Sequence, residues 1–225
     1  ANFAELLRTN PGGNITQVSA PDITVTSRAA TGTLATCQLA LLDGRTLYQD
    51  FFGFVMWDFL PGNFNEGKQV EVIRGPASAV WGANALYGVV NVVSKTPREL
   101  KGTSATFGFG GFDRPDADAG SLWYLSGTYA DAPNDRWSYK LSGGGYSQDA
   151  LARPTGRIPC DNSAVCTPTT TYPPFANSGT TQPKFDARVD YDYEDGRNLS
   201  FSGGVAGTDG IMHSGIGPFD INSGS

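Results

Sequence analysis

Between residues 103 and 206 apolar and polar residues alternate with period two in five separate segments, and no other feature limits the fold as tightly. In "PKFDARVDYDY" Phe185, Ala187, Val189, Tyr191 and Tyr193 fall on one face, with Lys184, Asp186, Arg188, Asp190 and Asp192 on the other. "TSATFGFGGF" sets Ala105, Phe107 and Phe109 against Thr106, Gly108 and Gly110. "LWYLSGTY", "RWSYKLSG" and "NLSFSGGVA" repeat the pattern, the second placing Trp137, Tyr139 and Leu141 opposite Ser138, Lys140 and Ser142. Successive side chains of a strand point to opposite faces, so each segment is a strand with one apolar side. Segments of roughly ten residues are long enough to cross a bilayer as tilted strands. An antiparallel sheet with one wet face alternates in the same way, so a soluble or surface-attached β-sandwich binding module stays open as the alternative.

Two details favour a barrel. Aromatic residues gather near strand ends, as membrane-interface girdles require, and the connections alternate in length. A medium loop, 113 to 120, is followed by the short "DAPND", a long loop, 148 to 182, and the tight "EDGR". That parity fits short periplasmic turns and longer external loops if the first strand runs outward. A Gly-rich tail is expected from Thr208. Five strands cannot close a barrel, since about eight are needed even when side chains fill it, so a larger structure is expected.

Composition supports this. The 225 residues include 29 Gly, 13 Phe, 9 Tyr and 4 Trp, which favours turns and aromatic strands over helices. A net charge of -6 disfavours a surface that tracks phosphates, so nucleic acid is not an expected partner. No apolar run of about eighteen residues occurs, but barrel strands escape such a scan. Cys160 and Cys166 lie in a Pro/Thr-rich stretch without a nearby His, and read as a disulfide rather than a metal site. Cys37 reads as a small buried apolar residue. Catalysis has no footing: His213 is the only histidine and no nucleophile motif accompanies it. The acidic ladder Asp186, Asp190 and Asp192 is interleaved with Lys184 and Arg188, which suits a charged lumen lining better than a Ca²⁺ site. No metal or cofactor is expected.

Before residue 100 the texture differs. "ANFAELLRTNPGG" reads as a short helix, "DITVTS" and "QLALLDGRTL" as short strands with a turn at Asp43-Gly44. "QVEVIRG", "PASAVWGANAL" and "GVVNVVSK" read as strand, one or two helical turns opened by Pro76, and strand. Val70, Val72, Val90 and Val92 supply strand core; Gly75 and Gly88 permit bends, and Ala77, Ala79, Gly82 and Ala83 allow close approach.

The stretch "VEVIRGPASAVWGANALYGVVNVVSKTP" resembles the signature of the plug domain of TonB-dependent outer-membrane receptors, and "ELLRTNPGGNITQ" and "LALLDGRTLY" resemble earlier parts of the same plug. The resemblance implies an α+β plug, a small mixed sheet with short helices over residues 1–100, followed in 101–225 by the first about five antiparallel strands of a transmembrane β-barrel, the barrel incomplete. It implies a receptor in the Gram-negative cell outer membrane that binds an extracellular small molecule such as an iron-siderophore, with cobalamin or a glycan as other cargoes. It also implies outer-membrane lipid around the strands and TonB of the inner-membrane energising complex as partner. The family's signal peptide and TonB coupling segment are expected outside this sequence. In the family, the positions of Glu71 and Arg74 face charged groups of the barrel wall, so these two are the expected latch; the alternative is an exposed local pair worth under about 1 kcal/mol. Gly75, Pro76, Gly82 and Gly88 are the expected bend and packing residues. Ligand contacts are expected from the aromatic apex and the loop beside it: Tyr48, Phe51, Phe52, Trp57 and Trp81, with packed core as the alternative for that run.

Overall fold

The computed structural model describes residues 13–17, 19–21, 23–27, 38–49, 54–114, 118–153, 156–157, 171, 177–214 and 217–224. The helix expected at the start of the chain, Cys37 and the Cys160/Cys166 pair lie outside the described residues.

The first part is a mixed sheet. Strands β1 (Gly13–Gln17) and β2 (Ile23–Ser27) form an antiparallel pair. β3 (Gln38–Leu42) and β4 (Arg45–Thr46) join β7 (Gly67–Arg74) and β8 (Gly88–Ser94) in the order β4-β3-β8-β7. Between them β5 (Tyr48–Gln49) and β6 (Phe54–Val55) make a small hairpin. β3 and β8 run parallel, and β7 and β8 antiparallel. The central strands are apolar on both faces because both are covered: Ala40, Val90 and Val92 pack with Val25, Trp57 and Leu60, while Leu39, Leu41 and Val89 pack with Ala85 on the other side.

The segment between β7 and β8 folds as its residues predict. Pro76 opens α1 (Ser78–Trp81), and a 3-10 turn, Ala83–Ala85, brings Ala85 into the core. Gly75, Gly82 and Gly88 have φ of +102°, +89° and +149°. Gly88 is doubly constrained, because a Cβ there would lie 2.5 Å from the Ile73 carbonyl oxygen. Helix α2 (Pro97–Leu100) leads out of this part with a capping box: the Glu99 amide donates to Thr96 Oγ1 and the Thr96 amide donates to Glu99 Oε2.

The second part is an up-and-down sheet of five strands, β9 (Gly102–Phe112), β10 (Gly120–Asp131), β11 (Trp137–Gln148), β12 (Thr180–Asp192) and β13 (Asn198–Ala206), paired in chain order. Turns 132–136 and 193–197 are short, and the connections at the other end are longer. The faces are inverted relative to a water-soluble sheet. Phe107, Phe109 and Phe201 are 68%, 73% and 68% exposed on the outside, together with Leu125, Leu141 and Phe185. Thr128, Ser138, Lys140, Ser142, Gln182 and Asp190 are buried on the inside. At the short-turn end Trp137, Tyr191 and Tyr193 stack with centroids 4.7 Å apart in each successive pair, and Arg197 caps the Tyr193 ring.

The Gly-rich tail expected from Thr208 contains two strands. β14 (Thr208–Ser214) pairs with β15 (Gly217–Gly224). β14 continues the line of β13 past Gly207, whose amide donates to the Pro183 carbonyl at 2.8 Å. The Thr181 amide bonds the Asp209 carboxylate, and Thr180 and Thr208 hydroxyls meet at 3.4 Å. Glycines conceal the alternation, but the backbone pairing of β14 with β15 does not depend on side chains.

Candidate functional site: the face between plug and wall

The inner face of the five-stranded sheet meets the first part along a short run, "PGNFNE", residues 61 to 66, and at several residues outside it. It follows a 3-10 turn, Trp57–Phe59, that is anchored in the core by Trp57. Glycines in the wall let it come close. A Cβ at Gly204 would lie 2.6 Å from Pro61 Cβ, and one at Gly144 would lie 2.7 Å from the Leu125 oxygen and 3.0 Å from Asn63 Oδ1. The Asn63 amide donates across that gap to the carbonyls of Gly127 (3.4 Å) and Gly143 (3.3 Å) and to Thr128 Oγ1 (3.5 Å).

Glu66 ends the run on a second 3-10 turn, Phe64–Glu66, and is 1% exposed. One carboxylate oxygen accepts from Thr128 Oγ1 at 2.8 Å, and the other accepts from Lys140 Nζ. Lys140 is 4% exposed and also bonds Asp186 Oδ2 at 2.9 Å. Beside it Arg188 Nε donates to Asp190 Oδ1 at 2.8 Å while its terminal nitrogens reach Ser94 Oγ and Ser200 Oγ, both at 3.4 Å. A cavity of about 300 Å³ opens along these groups, lined by Asp43, Glu66, Ser94, Lys140, Asp186 and Arg188 among others. A second, of about 270 Å³, lies between Asn63, Asn65, Tyr124, Tyr146 and Lys184. At the short-turn end Arg98 of α2 donates to the carbonyls of Asn134 and Asp135 and to Asp192 Oδ2 at 3.2 Å. Buried charges survive only when paired and hydrogen-bonded, and here the pairing runs across the two parts. The arrangement joins the two parts by polar contacts that water can replace.

Residues 1–89 match the TonB-dependent Receptor Plug Domain family. This first part of the chain is a TonB-dependent receptor plug domain. The five-stranded sheet that follows it resembles in fold the start of a TonB-dependent receptor barrel, and is called the wall. It is 29% identical over 109 residues to the vitamin B12 transporter BtuB of Vibrio cholerae, a match covering 48% of this chain and 17% of that protein. It is 38% identical over 61 residues to the catecholate siderophore receptor Fiu of Escherichia coli K12, covering 27% of this chain and 7% of that one. These matches span far less than two thirds of either relative. Among solved structures, a mutant of the ferric enterobactin receptor PfeA of Pseudomonas aeruginosa superposes with a TM-score of 0.62 at 19% identity, covering 98% of this chain and 32% of that one. The siderophore receptor PirA of Acinetobacter baumannii gives 0.61 at 19%, covering 93% and 29%. Both likenesses concern the fold.

Within this TonB-dependent receptor plug the expected site residues separate. Glu71 is exposed on β7 and accepts from Gln69 Nε2 at 2.7 Å and Asn91 Nδ2 at 2.9 Å, both plug groups. Among the described residues no hydrogen bond or ion pair joins Glu71 or Arg74 to the five wall strands. Trp57 departs from its expected ligand contact: its indole is 4% exposed and packs in the core, so it fixes the run that follows. Trp81 is exposed on α1. Tyr48 lies in β5, with its side chain outside the described residues, as are Phe51 and Phe52 altogether. The groups that join plug to wall here include Gln17, Asn63, Asn65, Glu66, Ser94 and Arg98, of which only Ser94 lies in the quoted signature stretch, and none was an expected site residue. The legible signals were on the wall, where Lys140 falls on the polar face of its strand and Asp186, Arg188 and Asp190 form the charged lining.

Proposed function

We propose that the chain forms the plug and opening wall strands of an energy-coupled receptor in the outer membrane of a Gram-negative bacterium. Its cargo is a scarce nutrient taken up from outside, a ferric siderophore in first place, with cobalamin or a glycan as other cargoes. The observation that carries this reading is the inverted sheet: phenylalanines outward, a buried ionic network inward, and a plug docked on that inner face. A soluble sandwich buries its apolar faces against each other, so the outward phenylalanines count against that alternative. Support for the cargo comes from the relatives, which are named for vitamin B12 and for catecholate siderophores.

In this reading the protein performs no covalent chemistry. Ligand binds from outside, against Trp81 and the aromatic residues Tyr48, Phe51 and Phe52. TonB supplies the work that shifts the plug, and the polar plug–wall contacts are exchanged for water as it moves. Glu71 and Arg74 are proposed to meet wall strands other than β9 to β13.

Expression of the complete reading frame in a strain lacking its own siderophore receptors tests the proposal. The expected result is a heat-modifiable, detergent-extracted outer-membrane protein that restores ferric siderophore uptake only when TonB is present. Extraction into buffer without detergent, or uptake indifferent to TonB, would overturn it.

A further inference from the structure

Lys140 is held by two carboxylates of different allegiance. Glu66 belongs to the plug, whereas Asp186 belongs to the next wall strand. In the β11/β12 register Lys140 stands opposite Arg188, and Asp186 stands opposite Ser142, so Lys140 and Asp186 are diagonal neighbours whose contact depends on the wall alone. Arg188 repeats the arrangement, with Asp190 as its wall carboxylate and Ser94 as its plug acceptor. Lys140 and Arg188 thus each keep a wall carboxylate and add one plug group.

We propose that Asp186 is the release partner of the plug: it keeps Lys140 compensated when Glu66 departs, and so lowers the resistance to plug movement. Two physical effects act in the same direction. Without Asp186, plug departure would leave Lys140 with no carboxylate partner, whereas Glu66 holds it in the docked state, so departure is disfavoured. With Asp186 present, two carboxylates crowd one ammonium in the docked state, and their repulsion opposes docking. Glu66 itself leaves toward the cavity of about 300 Å³ that it lines, where water can take over its hydrogen bonds. Asp186 is therefore a positioning residue with an unusual signature: removing its charge tightens the plug, while removing that of Glu66 loosens it.

The inference rests on the plug-in-wall reading above, and hydrogen exchange in the complete receptor separates the two. Peptides covering residues 61 to 74 are followed in the wild type, Glu66→Gln, Asp186→Asn and Asp186→Ser, alongside TonB-driven uptake. Expected is exchange about threefold or more faster in Glu66→Gln and about threefold or more slower in both Asp186 variants, with slower uptake in the latter. Two Asp186 substitutions of different size guard against a variant that fails to fold, and heat-modifiable migration identifies such a failure. Exchange in a folded Asp186 variant equal to or faster than wild type overturns the inference while leaving the receptor reading intact. No protection of residues 61 to 74 in the wild type would instead overturn the reading on which it rests.

Discussion

Asn63 shows how much a single side chain does when the opposite surface is cleared for it. Its amide reaches two wall carbonyls and one hydroxyl because Gly144 carries no Cβ, and a methyl there would meet a backbone oxygen at 2.7 Å that cannot turn aside. Asn63→Ala leaves those acceptors to be satisfied by water and is expected to weaken plug docking by about 1–2 kcal/mol. Gly144→Val crowds both the Leu125 carbonyl of the neighbouring wall strand and the Asn63 side chain of the plug, at 3.0 Å, and is expected to cost more, about 2–3 kcal/mol. Both are read as a lowered urea midpoint for plug displacement in the complete receptor, with Gly144→Val the larger. Neither role was legible in the sequence. "GGG" in a strand announces close backbone approach without naming what approaches, and Glu66 and Lys140 are 74 residues apart. The expected latch, Glu71 and Arg74, came with a motif; the charge that meets these five strands did not.

The strands and short helices were legible because their patterns are local. Alternation located β9 to β13, and the double-sided apolar runs located β3 and β8. Pro76 and the small residues after it marked the helical turns. Gly207 and its glycine-rich neighbours hid β14, whose pairing is a backbone matter. Two elements carry predictions. Gly88 starts β8 at φ +149° beneath the Ile73 carbonyl, so Gly88→Val is expected to disrupt the β7/β8 pairing and destabilise the plug by about 3 kcal/mol, measured as early loss of hydrogen-exchange protection in β8. In α2 the hydrogen bond from Lys68, with that from the Thr96 amide, holds the Glu99 carboxyl below its ordinary value. A depressed carboxyl stabilises the fold above its unfolded value, near about 4.3, and the contribution is lost as pH falls through the lower folded value. Protease cleavage between residues 95 and 102 is therefore expected to be flat from neutral pH to about 5 and to rise below about 4. Glu99→Gln should raise cleavage at neutral pH and flatten the profile.

At the scale of the molecule, one inversion organises everything else: the wall keeps its polar side for the plug and turns its apolar side outward. Trp137, Tyr191 and Tyr193 near the short turns mark where that apolar band ends, and Arg98 ties α2 to the same end, so the junction between plug and wall lies at the short-turn rim. The parity of loop lengths had pointed to this polarity, whereas the docked run at residues 61 to 66 and the ionic network behind it emerge only from the fold. The inversion is tested most directly by nitroxide labels in the complete receptor in lipid bilayers, with Cys37, Cys160 and Cys166 replaced by Ser. Labels at Phe107, Phe109 and Phe201 are predicted to relax with dissolved oxygen and to ignore a water-soluble paramagnetic complex, while labels at Thr128 and Ser138 are shielded from both. Relaxation of the three phenylalanine sites by the water-soluble complex would contradict the account.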